Sequence, residues 1–156
     1  MQNNNQKQGE KMENENLKLV IAMARAHDAL FSKIEMNVKE YGLTLSEFGV
    51  LEMLFHKGEQ PVQKVAEKIL VTSGTITYVI DKLQQRELVS RQKCTNDKRV
   101  YYVCLTPKGT ALIADIFPRH EAFLQDSLKG MTQKKKDALI NHLITLQEAL
   151  NHQASL

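Results

Sequence analysis

The sequence predicts a mainly α-helical fold that is interrupted by one short β-hairpin. Glycine and proline are scarce, with 7 and 3 among 156 residues, and this scarcity favours long helices over an all-β fold. Apolar residues recur at intervals of three and four along most of the chain, which is the spacing of an amphipathic helix. Between residues 88 and 105 the interval shortens to about two, the period of a β-strand.

The N-terminal part of the chain is predicted to form a long helix after a polar tail. Residues 1–16 are rich in Asn, Gln, Glu and Lys, and we expect them to be flexible. The helix then covers residues 17–42 and ends at Gly42, because glycine suits the position that follows a helix. Thr44 and Glu47 have the spacing of a capping box and are predicted to begin a second helix.

The middle of the chain, residues 43–106, is predicted to be a winged helix-turn-helix. Pro61 introduces a short third helix, and Thr72 or Ser73 can cap a fourth, so that two short helices meet at a tight turn. Residues 88–94 and 100–105 are predicted to be the strands of a hairpin with a polar, charged tip. A helix-turn-helix that is followed by a hairpin is a winged helix.

The C-terminal part, residues 107–156, is predicted to form two more helices. Thr106 and Pro107 have the composition of a helix start, and Thr132 can cap the last helix. Pro118 lies inside the first of the two, where we expect a kink or a break. Residues 17–42 and 107–156 carry apolar faces that a small winged domain cannot cover, so we predict that they are the dimerisation helices of a homodimer. The alternative is that these helices fold back on their own chain.

The composition excludes several classes of protein. No apolar run approaches the ~20 residues that span a bilayer, so we expect no membrane contact and a cytoplasmic protein. Two cysteines do not make a disulfide framework. None of the five histidines pairs with a cysteine or carboxylate at metal-ligand spacing, and no phosphate loop or nucleophile elbow is present. We therefore expect neither an enzyme nor a bound metal or cofactor.

The distribution of charge and of hydroxyl side chains indicates DNA as a partner. Residues 57–108 hold ten basic and five acidic side chains between neutral or acidic flanks, and a basic segment of this kind favours a polyanion. The fourth helix begins with small polar side chains, which let a helix approach base edges, on the side away from its apolar face. They are Ser73, Thr75 and Thr77, followed by Tyr78. Ordinary helix capping is the alternative explanation.

The tip of the predicted hairpin carries Lys98 and Arg99. Arginine is the residue best suited to a narrow, electronegative minor groove. Asp97 repels phosphate, so we expect it to hold Arg99 or the turn in place. An exposed charged turn is the alternative. The fourth helix and the hairpin tip have the spacing at which a winged helix contacts the major and the minor groove of DNA at the same time.

Four stretches carry a resemblance to a known family. Residues 73–83, 88–91, 97–100 and 103–109 read SGTITYVIDKL, LVSR, DKRV and VCLTPKG. With these motifs, residues 43–109 resemble the MarR family of bacterial transcription regulators. The resemblance implies a homodimer on a near-palindromic double-stranded DNA operator, with a recognition helix in the major groove and an arginine-tipped wing in the minor groove. The residues it assigns to DNA are Ser73, Gly74, Thr75, Thr77, Tyr78, Lys82, Arg91, Asp97, Lys98 and Arg99.

One position departs from the family pattern. Glu87 stands where the family usually has glycine between the recognition helix and the wing. If the backbone there is left-handed, a residue with a side chain lowers the stability of the fold by on the order of 1 kcal/mol relative to glycine. Within the family, the chain is similar to the branch that responds to quinones and related phenolic electrophiles.

Two kinds of sensor are compatible with the sequence. His27 lies on the apolar side of the first helix and is able to bind a phenolic ligand, although a histidine that belongs to the core is the simpler interpretation. Cys94 precedes the basic tip, whose cations lower a thiol pKa and make the thiol reactive. Cys104 on the second strand is roughly 13 Å away along the strand, too far for an intrachain disulfide. Two ordinary cysteines are the alternative.

These observations predict a homodimeric, sequence-specific transcription regulator. We expect a repressor that a small phenolic or quinone-type ligand, or thiol-reactive stress, releases from DNA. The alternative is a winged-helix module that binds another protein and does not bind DNA.

Overall fold

The computed structural model describes residues 3–69, 73–93 and 100–153, with the side chains of residues 14–69, 75–93 and 100–152. Its helices are α1 (Asn3–Glu40), α2 (Leu45–Lys57), α3 (Val62–Lys68), α4 (Ser73–Gln85), α5 (Pro107–Ser127) and α6 (Gln133–Gln153). Its strands are β1 (Gln60–Pro61), β2 (Val89–Lys93) and β3 (Tyr101–Leu105). The predicted mainly α, winged helix-turn-helix fold is confirmed.

Helix α1 begins at Asn3, not at residue 17 as the sequence predicted. The prediction relied on an apolar stripe, which the polar residues 3–16 do not have. Gln, Lys and Glu are nevertheless good helix formers, and extending an existing helix costs far less than starting one. The polar segment therefore continues the helix that the apolar residues define.

The corner between α1 and α2 is built by local hydrogen bonds that the sequence predicted. Gly42 adopts a left-handed conformation with φ of 69°. The Thr44 hydroxyl accepts a hydrogen bond from the Glu47 N–H over 3.2 Å, and the Glu47 carboxylate accepts one from the Thr44 N–H over 2.8 Å. These reciprocal bonds form the expected capping box.

The sheet has three antiparallel strands in the order β1-β3-β2. The pairing of β2 with β3 runs from Val89 opposite Leu105 to Lys93 opposite Tyr101. Strand β1, which pairs Gln60 with Val103, was missed by the sequence analysis because two residues are too few to show a period. Its proline is tolerated because β1 is an edge strand.

The core of the winged domain joins the end of α1 to α2, α3, α4, the sheet and the first half of α5. Its buried members are Val38, Leu43, Phe48, Val50, Leu51, Leu54, Val65, Ala66, Ile76, Val79, Ile80, Leu83, Leu88, Val89, Val103, Ile113 and Ile116. The chain divides after Phe117 into two compact units. The second unit holds the rest of α5 and α6.

The link between α4 and β2 is a Schellman motif. The Leu88 N–H donates to the Leu83 carbonyl and the Glu87 N–H donates to the Gln84 carbonyl, both over 2.9 Å. Glu87 has φ of 60°, so the residue that departs from the family pattern is indeed left-handed. Its carbonyl accepts a hydrogen bond from the Thr106 hydroxyl over 2.6 Å, and its carboxylate lies 3.1 Å from Lys108 Nζ. These contacts hold the strained residue in place.

Helix α5 passes through Pro118 without a break, so the alternative of a broken helix is wrong. The next helix, α6, begins after Thr132, whose hydroxyl accepts a hydrogen bond from the Lys135 N–H over 3.4 Å. Among the described residues, no helix is both long and apolar enough to cross a membrane.

Gly109 in the first turn of α5 packs directly on the main chain. A Cβ at this position would overlap the carbonyl oxygen of Leu88, so no side chain fits there. This close approach explains the glycine of the LTPKG motif.

We predict that Gly109→Ala lowers the free energy of unfolding by about 2 kcal/mol or more, because the added methyl group forces two backbone segments apart. Urea unfolding at one protein concentration measures the change. Gly130→Ala is the matched control, since a Cβ at Gly130 meets no atom within 4 Å. A Gly109→Ala protein as stable as the control would contradict the packing described.

Candidate nucleic-acid interface

Helix α4 presents one apolar face and one polar face. Ile76, Val79, Ile80 and Leu83 are buried in the core. Thr75, Thr77 and Tyr78 lie on the other side and are exposed, and the tyrosine side chain retains 62% of its accessible area. Because the apolar face is anchored, the polar face is fixed outward as a rigid surface. This is the arrangement predicted for a recognition helix.

The exposed face of α4 carries a positive charge next to its aromatic ring. Lys82 Nζ lies 5.5 Å from the centroid of the Tyr78 ring, one helical turn before it, within the range of a cation–π contact. The pair holds the ammonium group on the same side of the helix as the tyrosine. Lys82 thus lies on the same exposed side of α4 as Tyr78, and its assignment to DNA stays a prediction.

Arg91 of β2 has partners that the sequence analysis did not foresee. One guanidinium nitrogen lies 2.6 Å from the Asp81 carboxylate. The other donates a hydrogen bond to the Thr77 carbonyl over 3.2 Å. Arg91 therefore connects the wing strand to α4. Its remaining N–H groups are available for a phosphate, because a guanidinium has five donors.

A second arginine connects the C-terminal end of α4 to the corner between α1 and α2. Arg86 Nη1 donates to the Gly42 carbonyl over 3.0 Å and lies 3.7 Å from the Glu47 carboxylate. The sequence analysis assigned no role to Arg86. No local pattern signals a contact between residues 44 positions apart.

A cavity of about 420 Å³ lies beside α4 at the base of the wing. Its walls come from the start of α3, from Thr77 and Arg91, and from the beginning of the second wing strand at Val100 and Tyr101. Cavities of this size hold small organic molecules. It opens next to the arginine that connects the wing to α4.

Several predicted DNA contacts lie outside the described residues. They are the tip residues Asp97, Lys98 and Arg99, together with Cys94. The side chain of Ser73 and the surroundings of Gly74 are also outside the description, although both residues belong to α4. Their assignment to DNA stays a prediction.

His27 does not lie in the core of the chain. The interpretation of His27 as a core histidine is therefore wrong for a single subunit. Its side chain is 63% exposed, and Nδ1 lies 3.1 Å from the Asp28 carboxylate. The ring stacks on Phe31, with 4.3 Å between the centroids. An exposed, ring-stacked histidine is open to a ligand or to a second subunit.

Cys104 is half-buried on β3 and has a free thiol. Its sulfur lies 3.1 Å from the Ser90 hydroxyl oxygen on the neighbouring strand. Within the described part of the chain, no three His, Cys, Asp or Glu side chains cluster as a metal site would require.

Helices α1 and α6 each expose many large apolar side chains. On α1 these are Leu17, Leu19, Val20, Ile21, Met23, Phe31 and Met36. On α6 they are Leu139, Ile140, Leu143, Ile144 and Leu150. So many exposed large apolar side chains on two helices are typical of a contact with another molecule.

The three-helix core, the antiparallel wing and the outward polar face of α4 define a winged helix-turn-helix protein, a class that binds DNA. Comparison of the structure with solved proteins shows the same fold. Sco3205 of Streptomyces coelicolor, a MarR family transcriptional regulator solved in complex with DNA, matches with a TM-score of 0.80 and 18% identity over 88% of each chain. BpsR of Bordetella bronchiseptica, described for the regulation of its DNA binding by 6-hydroxynicotinic acid, matches with a TM-score of 0.75 and 24% identity over 83% of this chain and 98% of BpsR.

Sequence comparison places the chain within one family. The MarR family model matches residues 43–101. The HTH-type transcriptional regulator MhqR of Bacillus subtilis is 40% identical over 124 residues, which are 80% of this chain and 86% of MhqR. The chain belongs to the MarR family of transcription regulators, as its motifs indicated.

We predict that the Arg91–Asp81 contact couples the wing to α4 by about 0.5–1 kcal/mol, the range of partly exposed ion pairs. A double-mutant cycle of Arg91→Gln and Asp81→Asn, followed by urea unfolding, measures this coupling energy. Salt weakens it, because both groups are accessible to solvent. The same cycle made with Lys108→Gln and Glu87→Gln, a more exposed pair at 60% and 80%, is the control and should give a smaller value. Additive effects of the Arg91 and Asp81 substitutions would contradict the prediction.

Proposed function

We propose that this MarR family protein is a homodimeric repressor that binds a near-palindromic duplex operator. The observation that carries the proposal is the outward face of α4, with exposed Thr75, Thr77 and Tyr78 on a helix whose other face is buried. Short hydroxyl side chains suit the major groove, where the methyl group of a threonine is able to contact the methyl group of thymine. Arg99 at the wing tip reads the adjacent minor groove.

The exposed apolar side chains on α1 and α6 support dimerisation. A second copy of the chain covers the same side chains through a two-fold axis. Such a dimer presents two copies of α4 to successive major-groove faces, about one helical turn of DNA apart. The operator then has two related half-sites, and the protein acts in the cytoplasm where that DNA lies.

A small phenolic or quinone-type molecule is the proposed signal. A cavity of about 420 Å³ beside Arg91 has room for one aromatic ring with polar substituents. The relative BpsR is described as regulated in DNA binding by 6-hydroxynicotinic acid, a hydroxylated aromatic acid. A ligand in this cavity lies against both Thr77 of α4 and Arg91 of the wing, so that it alters the surface that meets DNA.

A thiol reaction is the second proposed route of release. The Cys94 thiolate adds to a ring carbon of a quinone, a C–S bond forms, and the ring takes up a proton to leave a hydroquinone adduct. The adduct adds bulk next to the wing tip. Cys104 is the less reactive thiol in this proposal, because it is half-buried and its sulfur lies against Ser90.

Arg99→Ala is expected to weaken operator binding by about ten- to a hundredfold, the effect of losing one well-placed arginine contact. An operator selected from random duplexes, followed by mobility-shift titration, measures the loss. The dimer stays intact in sedimentation equilibrium, because the wing is remote in sequence from α1 and α6. Lys33→Ala, an exposed cation on α1, is the matched control.

Unchanged operator affinity in the Arg99→Ala protein would refute the role of the wing. Failure of the wild-type protein to bind any duplex in a steeply salt-dependent manner would favour the alternative, a winged-helix module that binds protein only.

Cys94→Ser is expected to abolish release of the protein from DNA by quinones. Mass spectrometry detects the adduct on the wild-type protein and on Cys104→Ser, and fluorescence anisotropy of labelled operator follows release. If quinone releases Cys94→Ser as readily as the wild type, the thiol route is wrong and a noncovalent ligand carries the signal.

A further inference from the structure

We propose that Arg86 is a positioning residue for DNA binding, which fixes the separation between the two copies of α4 in the dimer. The proposal rests on the proposed function as a homodimer on two half-sites. Arg86 directly follows the last residue of α4. Its side chain connects that end of α4 to the corner after α1, and α1 carries part of the exposed apolar surface assigned to the dimer.

Both ends of this connection are well-defined turns. The backbone of Arg86 belongs to the Schellman motif that ends α4. Helix α1 ends in the same motif. The Leu43 N–H donates to the Val38 carbonyl over 3.3 Å. The Gly42 N–H donates to the Lys39 carbonyl over 2.9 Å. A side chain that joins two such turns holds them at one distance from each other.

The guanidinium group of Arg86 has two acceptors at the corner. Its Nη1 donates to the Gly42 carbonyl over 3.0 Å and lies 3.7 Å from the Glu47 carboxylate. That carboxylate also accepts the Thr44 N–H of the capping box over 2.8 Å, and the Glu47 side chain is only 13% exposed. Hydrogen bonds from a charged donor are stronger than neutral ones. One side chain thus connects the end of α4 with the end of α1 and the start of α2.

The corner lies close to the surface that is assigned to the dimer. Met36 is 70% exposed and precedes Gly42 by about 9 Å along the helix axis. Leu17, also exposed, belongs to the same unbroken helix. A second copy that packs on these residues fixes α1 and, with it, the Gly42 carbonyl. The buried face of α4 sets the rotation of that helix about its axis, and Arg86 adds a direct contact between its last turn and the corner.

A contact with a DNA phosphate is the alternative role for Arg86. The residue follows Tyr78 by about 12 Å along the axis of α4, so it lies at the opposite end from the exposed Thr75 and Thr77. The two roles have different signatures. Loss of a phosphate contact lowers the salt dependence of binding, whereas loss of positioning changes how affinity depends on the separation of the half-sites.

Pulsed electron spin resonance of the full chain measures the separation of the two copies of α4. A nitroxide is attached to Gln84→Cys, on an exposed position of α4, with Cys94→Ser and Cys104→Ser in the same chain. We expect one narrow intersubunit distance with Arg86 present and a broader distribution in Arg86→Gln. Glu47→Gln keeps an acceptor for the capping box but removes the charge opposite Arg86, so it should broaden the distribution less.

Operators of altered length test the consequence for DNA binding. One inserted base pair moves the half-sites about 3.4 Å apart and rotates them by about 34°. The wild type is expected to bind the lengthened operator about tenfold more weakly or less, whereas Arg86→Gln loses about threefold at most. On the selected operator, Arg86→Gln should bind about two- to fivefold more weakly with an unchanged salt slope. Lys39→Gln, which removes an exposed cation from the last turn of α1, is the matched control and should behave as the wild type does.

Two results would overturn the proposal alone. One is an Arg86→Gln protein, folded by circular dichroism, whose intersubunit distances and length preference equal those of the wild type. The other is a salt slope reduced by about one with the length preference retained, which makes Arg86 a phosphate contact. If Arg86→Gln does not fold, Glu47→Gln decides by the same measurements. A wild-type chain without an intersubunit distance, or a dimer that binds no duplex, would refute the proposed function and this proposal with it.

Discussion

The outward polar face of α4 depends on the burial of the opposite side of the helix. Ile76, Ile80 and Leu83 are almost completely removed from solvent, and each such side chain contributes roughly 1.5–3 kcal/mol on burial. Rotating α4 about its axis would expose these residues, so the helix has one orientation. The polar residues between them are consequently presented to solvent at fixed positions.

Two arginine contacts set the place of α4 relative to its neighbours. Arg91 connects its middle to the wing, and Arg86 connects its last turn to the corner that follows α1. Both contacts are partly exposed to solvent, so each is weak compared with the core. The core therefore fixes the orientation of α4, and the two arginine contacts contribute little to it in comparison.

Features that depend on neighbouring residues were predictable from the sequence. The capping box of Thr44 and Glu47 and the strand segments of the wing follow from local spacing. The resemblance to the family singled out Glu87, and the structure shows that its backbone is left-handed. Contacts between residues that are distant in the sequence, and a strand of only two residues, were not predictable in this way. Strand β1 is too short to show a period, and the partners of Arg86 and Arg91 are remote in sequence. The start of α1 was misplaced because polar residues that continue a helix resemble those of a tail.

The first turn of α5 is joined to the junction between α4 and β2 by main-chain contacts. The Thr106 N–H donates to the Leu88 carbonyl over 3.1 Å, and Gly109 leaves no gap above that carbonyl. A hinge at this point would have to break a buried backbone hydrogen bond, which is costly. The start of α5 and the junction between α4 and β2 are therefore expected to move together.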